Sequence, residues 1–291
     1  MNESSSTKAN PKYSLCCSQG KVKLPVYKEP PLLLQRLIDG RDARNKHFIE
    51  NIKSYNNMFA FTSMGGRIET SINKGKGPPI FKLHGQNYHL IGSLIPTVGS
   101  IPKFAQLYIY DTENELQNRI KSVRGDVNAN QLHIEIVEDL RNMLNDHNVL
   151  VKSFRMAKET IHHGESVDMR LRLIGKRNSD ARTYNLPTVS EVAALVVGDF
   201  DESMGERDIL VETQSGKLQH INELNPAYFG LQYPLLFPFG EDGYREDIAL
   251  SGSRVVPGSC RRNVSIRQFL AYLLQEREFK YSTILKAKRL F

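Results

Sequence analysis

The stretch NPAYFGLQYPLLFPFG at 225–240 sets the terms for the rest of the chain. It holds five aromatic rings (Tyr228, Phe229, Tyr233, Phe237, Phe239) and three prolines in sixteen residues. Such a segment is too apolar to leave in water. It is also too interrupted by proline for a helix or a central strand. The expected form is an irregular segment laid across the core, rings inward and prolines fixing the turns. Pro234 and Pro238 are spaced PxxxP, which does not match the PxxP ligands of polyproline-binding grooves.

Working outward, the elements read as an α+β chain with a mixed, mostly antiparallel sheet built of hairpins, packed helices and a basic helical C-terminal tail. Pro30-Pro31 and Gly40 bracket a short helix, LLLQRLID, with the favoured polarity of proline first and glycine last. Phe48, Ile52 and Tyr55 fall on one face of a second helix starting at Asp42. Strands are expected at 21–24 (KVKL), 59–62, 80–84, 88–91, 104–110 (FAQLYIY) and 169–174. Met64 to Arg67 reads as a turn, Gly85-Gln86-Asn87 as a hairpin turn, and 209–213 with 217–221 as a second hairpin about Gln214-Ser215-Gly216. Helices are expected at 113–123, 131–144 and 265–278. Thr188 to Glu191 has the capping-box pattern, while 192–197 reads equally as a strand. The division is a polar tail with a cysteine pair over 1–30, an α+β domain over 31–244, a Gly/Ser/Pro linker over 245–264 and a helical segment over 265–291.

Charge is unevenly spread along the 291 residues. Residues 1–110 carry 15 Lys/Arg against 6 Asp/Glu, 201–250 carry 3 against 10, and 251–291 carry 9 against 2. A basic N-terminal third and a basic tail therefore flank an acidic block. Basic faces favour nucleic acid by neutralising phosphates. The residues expected to do so are Arg254, Arg261, Arg262, Arg267, Lys286, Lys288 and Arg289, with Tyr272 and Tyr281 as stacking surfaces for unpaired bases. Arg170 and Arg172 share one face of the 169–174 strand and join that set. No apolar run approaches the 18 residues of a membrane span, so no membrane partner is expected.

The chemistry-bearing patterns of common enzymes are missing. There is no GxxxxGK[ST] phosphate loop, no HExxH and no HxE…PCxxC. No His-x-His occurs to hold a divalent ion, and no two tyrosines lie four apart. His162-His163 with Glu165 and Asp168 is an acid–base cluster more in keeping with a solvated turn. Gly65-Gly66 and Gly75/Gly77 lack a following helix to complete an anion site. Cys16-Cys17 is the one metal-like feature, and two adjacent thiols with Cys260 far away do not make a four-ligand zinc site. No cofactor and no metal are expected, and three cysteines fit a reducing compartment.

The stretch 225–244, NPAYFGLQYPLLFPFGEDGY, resembles the corresponding element of the Helitron transposases, which join a Rep-type nuclease to a helicase. Further stretches resemble that family in the same order: YSLCCSQGKVKLP (13–25), FAFTSMGGRIE (59–69), FKLHGQNYHLIGSLIP (81–96), FAQLYIYDTENELQNRI (104–120), LNDHNVLVKSFRMAKE (144–159), ARTYNLPTVSEVAALVVGDF (181–200) and SIRQFLAYLLQER (265–277). The resemblance implies an N-terminal, non-catalytic region of a rolling-circle transposase. AKRLF (287–291) resembles the lead-in to the helicase-like domain. The family's histidine–metal motif, nucleophilic tyrosines and helicase motors would follow Phe291, and the CxxC completing zinc ligation with Cys16-Cys17 would precede Met1. The implied partners are single-stranded DNA and the missing nuclease and helicase domains, and the implied location is the nucleus. The competing expectation is a protein-interaction or scaffold module without DNA affinity, presenting the acidic 201–250 surface.

Overall fold

The computed structural model describes residues 13–68, 83–110, 112–123, 132–163, 169–197, 208–212, 218–251, 262–276 and 281–290. A short α1 (Ser14–Cys17) comes first, and α2 (Leu32–Asp39) forms where the Pro-Pro start and Gly40 stop place it. Gly40 closes α2 with φ +79°, a left-handed conformation that glycine adopts without strain. The helix expected from Asp42 is two helices, α3 (Asn45–Glu50) and α4 (Ile52–Phe59), broken at Asn51. There the Asn51 amide donates back to the His47 carbonyl at 2.9 Å. Phe48, Ile52 and Tyr55 still face the core, because the break leaves their spacing on one side.

Then come α5 (Glu115–Ser122), α6 (Ile134–His147) and α7 (Val149–His163). Asn148 separates the last two. Its Oδ1 accepts from Leu150 N at 2.9 Å and Val151 N at 3.1 Å, capping the first turn of α7.

Among the described residues the strands form two three-stranded antiparallel sheets rather than one mixed sheet, and the architecture is α+β. In the first, β2 (Leu83–Ile91) lies between β1 (Ser63–Ile68) and β6 (Gln219–His220). In the second, β3 (Met169–Leu173) lies between β4 (Ala193–Val197) and β5 (Ile209–Glu212). Several expectations are corrected here. The 59–62 strand is the end of α4 and its exit, and the expected turn at Met64 to Arg67 lies inside β1, where Gly65 pairs Tyr88 and the register shifts by a bulge. The close approach of the cross-strand Tyr88 ring accounts for the glycine, since a Cβ on Gly65 would clash with it. Gly85-Gln86-Asn87 is not a turn, since β2 runs through it. The 209–213 and 217–221 strands are not a hairpin, because β5 pairs β3 while β6 pairs β2.

FAQLYIY is not a central strand. Phe104–Tyr108 is a 3₁₀ turn, entered through Phe104 at φ +53° and held by Gln106 Oε1 accepting from Lys103 N. Burial of Ala105, Leu107, Tyr108 and Ile109 on all sides satisfies the same run of apolar residues that reads as a strand. Lys21 to Leu24 is extended, with Val22 and Leu24 buried, but joins no ladder among the described residues. At Thr188 both readings hold in turn. The capping box starts one helical turn, α8 (Val189–Val192), which passes directly into β4.

The 225–240 stretch lies across the main core as expected, with one addition. Between Pro226 and Pro234 the chain makes one helical turn, α9 (Tyr228–Gln232). Its exit is bound by side chains and backbone from distant elements. Phe61 N donates to Leu231 O, Asn56 Nδ2 to Gln232 O and Asn148 Nδ2 to Phe237 O. The following Glu241-Asp242 is buried. Asp242 receives Arg177 Nε and Nη2 at 3.0 and 2.9 Å, while Glu241 accepts from Phe239 N at 3.0 Å.

A second, smaller core lies beside the main one. Val22, Leu24, Ala181, Tyr244, Ile248 and Val264 pack with Phe269 and Leu273 of α10 (Ile266–Leu273). The segment read as a linker is therefore anchored at both its described ends, by Ile248 on one side and Val264 on the other, and Ala249 bridges Asn263. The chain closes with α11 (Thr283–Lys286) and a 3₁₀ turn at Lys288–Leu290.

Candidate nucleic-acid interface

The second core carries a group of exposed positive charges. In 21–24 the alternation Lys-Val-Lys-Leu turns Val22 and Leu24 inward, so Lys21 and Lys23 are exposed. Ser251 N donates to Lys21 O at 2.7 Å, and the neighbouring Leu250 N donates to Arg262 O at 3.0 Å, which lays the N-terminal segment beside Arg262. Gln268 Nε2 donates to Ser18 Oγ at 3.0 Å, holding the first turn of α10, and hence Arg267, against the same segment. That turn is fixed by Ser265, whose side chain accepts from Gln268 N while Gln268 Oε1 accepts from Ser265 N. Four exposed cations, Lys21, Lys23, Arg262 and Arg267, thus surround one seam. None forms an ion pair with another described residue. Of the acids bordering the seam, Asp247 is held by Arg245 Nη2 at 2.6 Å, and Glu246 accepts through its backbone from Asn263.

The remaining basic residues expected to act together are dispersed. Arg254 and Arg261 lie outside the described residues, as does the side chain of Arg289. Lys286 is clamped on Asp39 at 2.8 Å and sits over the Tyr281 ring at 4.0 Å, so its charge is answered within the fold. Lys288 is exposed at the chain end with φ +49°. Arg172 is paired with Asp208 at 2.5 Å, and Arg170 approaches Glu212 at 3.9 Å. Both belong to the sheet because their charges are matched across β3–β5. The two tyrosines expected to stack on bases are engaged elsewhere: Tyr272 donates to Leu24 O at 3.5 Å and Tyr281 to Asp39 at 3.1 Å.

Within the acidic block, Asp201, Glu202 and Glu206 lie outside the described residues and Glu223 is exposed, while other acids are answered within the fold. Asp208, Glu212, Asp242 and Asp247 meet arginines, and Glu241 is buried with its pKa pushed up to about 7, chiefly by loss of solvent. The arginines that neutralise these acids are spread over β3, the 174–192 region and residue 245, which block-wise charge counting cannot register.

For other chemistry, the described residues offer little. No group of three or more His, Cys, Asp or Glu converges to hold a metal among them. Cys16 and Cys17 are half-buried, with Cys17 Sγ donating to Tyr13 O at 3.3 Å. Cys260, Gly75, Gly77, Glu165 and Asp168 lie outside the described residues, as do the side chains of His162 and His163. Lys21 and Lys23 are the members of the seam that sequence reading missed as contact residues. Their signal was present in the KVKL alternation, but only the fold brings it beside α10. Comparison of the chain with models of protein families and with characterised proteins returns no match.

Proposed function

We propose that this chain is a non-catalytic N-terminal portion of a Helitron-like rolling-circle transposase, acting in the nucleus and contributing a grip on single-stranded DNA. The observation that carries the DNA-binding part is the grouping of Lys21, Lys23, Arg262 and Arg267, exposed and unpaired, around one seam. Charges left unanswered within a fold are available to phosphates, whereas Arg170, Arg172 and Lys286 are already spent on carboxylates. The transposase part rests on the ordered resemblance of sequence stretches from 13 to 277. Nuclease and helicase chemistry is assigned to no residue of this chain.

The test is fluorescence anisotropy of a labelled single-stranded oligonucleotide with the purified chain, alongside a variant carrying Lys21→Glu, Lys23→Glu, Arg262→Glu and Arg267→Glu. Binding by the native chain and its loss in the variant are expected, with circular dichroism unchanged because all four side chains are exposed. Equal affinity of the two proteins would refute the assignment. A chain that captures a protein partner and no oligonucleotide would instead fit the scaffold reading.

A further inference from the structure

A cleft of about 350 Å³ opens between the end of α4, β1, the 104–108 turn, the end of α5 and the end of α9. It is lined by Asn57, Thr62, Met64, Lys103, Phe104, Ser122, Val123 and Gln232. Its volume falls at the small end of the ~300–1,000 Å³ typical of small-molecule sites. Two polar residues at its floor, Thr62 and Gln232, are buried, and the Thr62 hydroxyl donates to Gln232 Oε1 at 2.6 Å. That bond fixes the amide and leaves Gln232 Nε2 as a donor with no hydrogen-bond partner among the described residues. Gln232 lines the cleft, so the cleft is where its Nε2 can meet an acceptor.

The walls are mixed, with an apolar side. Phe104, Met64 and Val123 contribute side chains, and Phe104 is held there at a cost: its φ of +53° is rare for any residue with a Cβ. Left-handed backbone at a bulky residue persists only where the surroundings over-determine it. Here Ala105 N bonds to Phe61 O at 3.2 Å and Gln106 bonds to both Lys103 N and Ser93 O. At the rim, Lys103 is exposed and forms no ion pair with another described residue. An aromatic wall, one fixed amide donor at depth and a cation at the mouth suit a planar heterocycle that carries ring or carbonyl acceptors and is linked to an anion.

We propose that this cleft binds one unpaired nucleobase, its face against Phe104, an acceptor on its edge meeting Gln232 Nε2 and its phosphate near Lys103. The ligand is a nucleotide, either free or extruded from a strand. The strand source rests on the proposed DNA-binding function; the free source does not.

The chain contains no tryptophan, so Asn57→Trp at the exposed rim creates a single reporter. Titration of that protein with deoxyadenosine and thymidine monophosphates should quench it saturably, while inorganic phosphate alone should not. Adding Ser122→Phe, which fills the mouth, should abolish the quenching. Adding Lys103→Ala should weaken monophosphate binding about tenfold and leave the uncharged nucleosides unaffected. Reversal of Lys21, Lys23, Arg262 and Arg267 should leave mononucleotide quenching intact, which separates this site from the seam. If oligonucleotide also quenches through the cleft, the strand is the source; if only mononucleotide does, the free nucleotide is. Absence of quenching by any nucleotide, quenching untouched by Ser122→Phe, or an equal response to inorganic phosphate overturns the proposal.

Discussion

Arg119 is fully buried, which a guanidinium tolerates only when its charge is paired, and its Nη2 lies 2.7 Å from Glu115 Oε1. Its Nε donates to Glu115 at 2.8 Å, one turn earlier on α5, its Nη1 donates to the Met58 carbonyl, and its plane lies 4.5 Å from the Phe59 ring and 4.3 Å from that of Tyr108. Arg155 supplies the second cation to Glu115 at 2.6 Å. Arg119→Ala leaves Glu115 buried with half its partners, and a loss of about 3–5 kcal/mol is expected in urea denaturation. Arg119→Met, which keeps the contact with the rings, should not recover that loss, because the carboxylate is still short of a donor. Two other buried groups set the pH dependence. Burial raises the Glu241 pKa from 4.5 to about 7, so the folded state holds a proton that the unfolded chain releases, and stability from this group falls as pH rises from about 4.5 to 7. Burial lowers that of His89, stacked on Tyr228 at 4.3 Å, from 6.5 to about 4, so its contribution falls as pH drops across that range. The two slopes oppose each other between pH 4.5 and 6.5. Glu241→Gln should therefore gain on the native chain as pH rises, from near zero at pH 4.5 to ~3 kcal/mol above pH 7; a pH-independent difference between their denaturation curves would contradict this. Only the Glu115–Arg119 spacing of four is legible in sequence; the other partners are not, since those of Arg119 include a carbonyl 61 residues away.

At the scale of elements, Asn148 decides where one long helical stretch becomes two. The Oδ1 cap on α7 would be visible to sequence reading only as an asparagine between two apolar runs. Its second role, Nδ2 donating at 3.2 Å to Phe237 O, depends on the 225–240 segment lying alongside. Asn148→Ala is expected to cost more than the ~1 kcal/mol of a surface cap, about 2–3 kcal/mol, because a buried carbonyl also loses its donor. Thermal denaturation checks this, and a loss confined to a few tenths would show the cap to be dispensable. Local signals served well where the determinant was local: Gly40 ending α2, Thr188 and Glu191 starting α8, and Ser265 with Gln268 starting α10. They failed where pairing is decided at long range. β5 and β6 look like two arms of a hairpin around Gln214-Ser215-Gly216, yet each has a better-placed partner in a different sheet. FAQLYIY failed for a different reason: the consecutive burial of Leu107, Tyr108 and Ile109 leaves no period to read.

At the scale of the whole molecule, the chain's first and last thirds meet. Val22 and Leu24 share a core with Phe269 and Leu273, and Tyr244 caps it through its hydroxyl bond to Val264 O at 3.0 Å and its edge contact with Phe269 at 5.8 Å. Phe269→Ala should destabilise the chain by about 3–5 kcal/mol and, by loosening α10, weaken oligonucleotide binding beyond what global unfolding explains. Proteolysis of the variant near residues 21–24 and 262–267, with the main core protected, would report that loosening; uniform cleavage would not. The α+β class, the burial of 225–240 and the basic character of both chain ends were legible from composition and spacing. The seam was not, because it joins residues some 240 positions apart in order of appearance, from Lys21 and Lys23 to Arg262 and Arg267. The most direct test of its role is the salt dependence of oligonucleotide binding. Four phosphate contacts give a slope of log K against log salt of about −0.7 per contact, near −2.8 in all, falling toward zero when the four side chains are reversed. An affinity indifferent to salt, or a slope unchanged by reversal, would contradict the account.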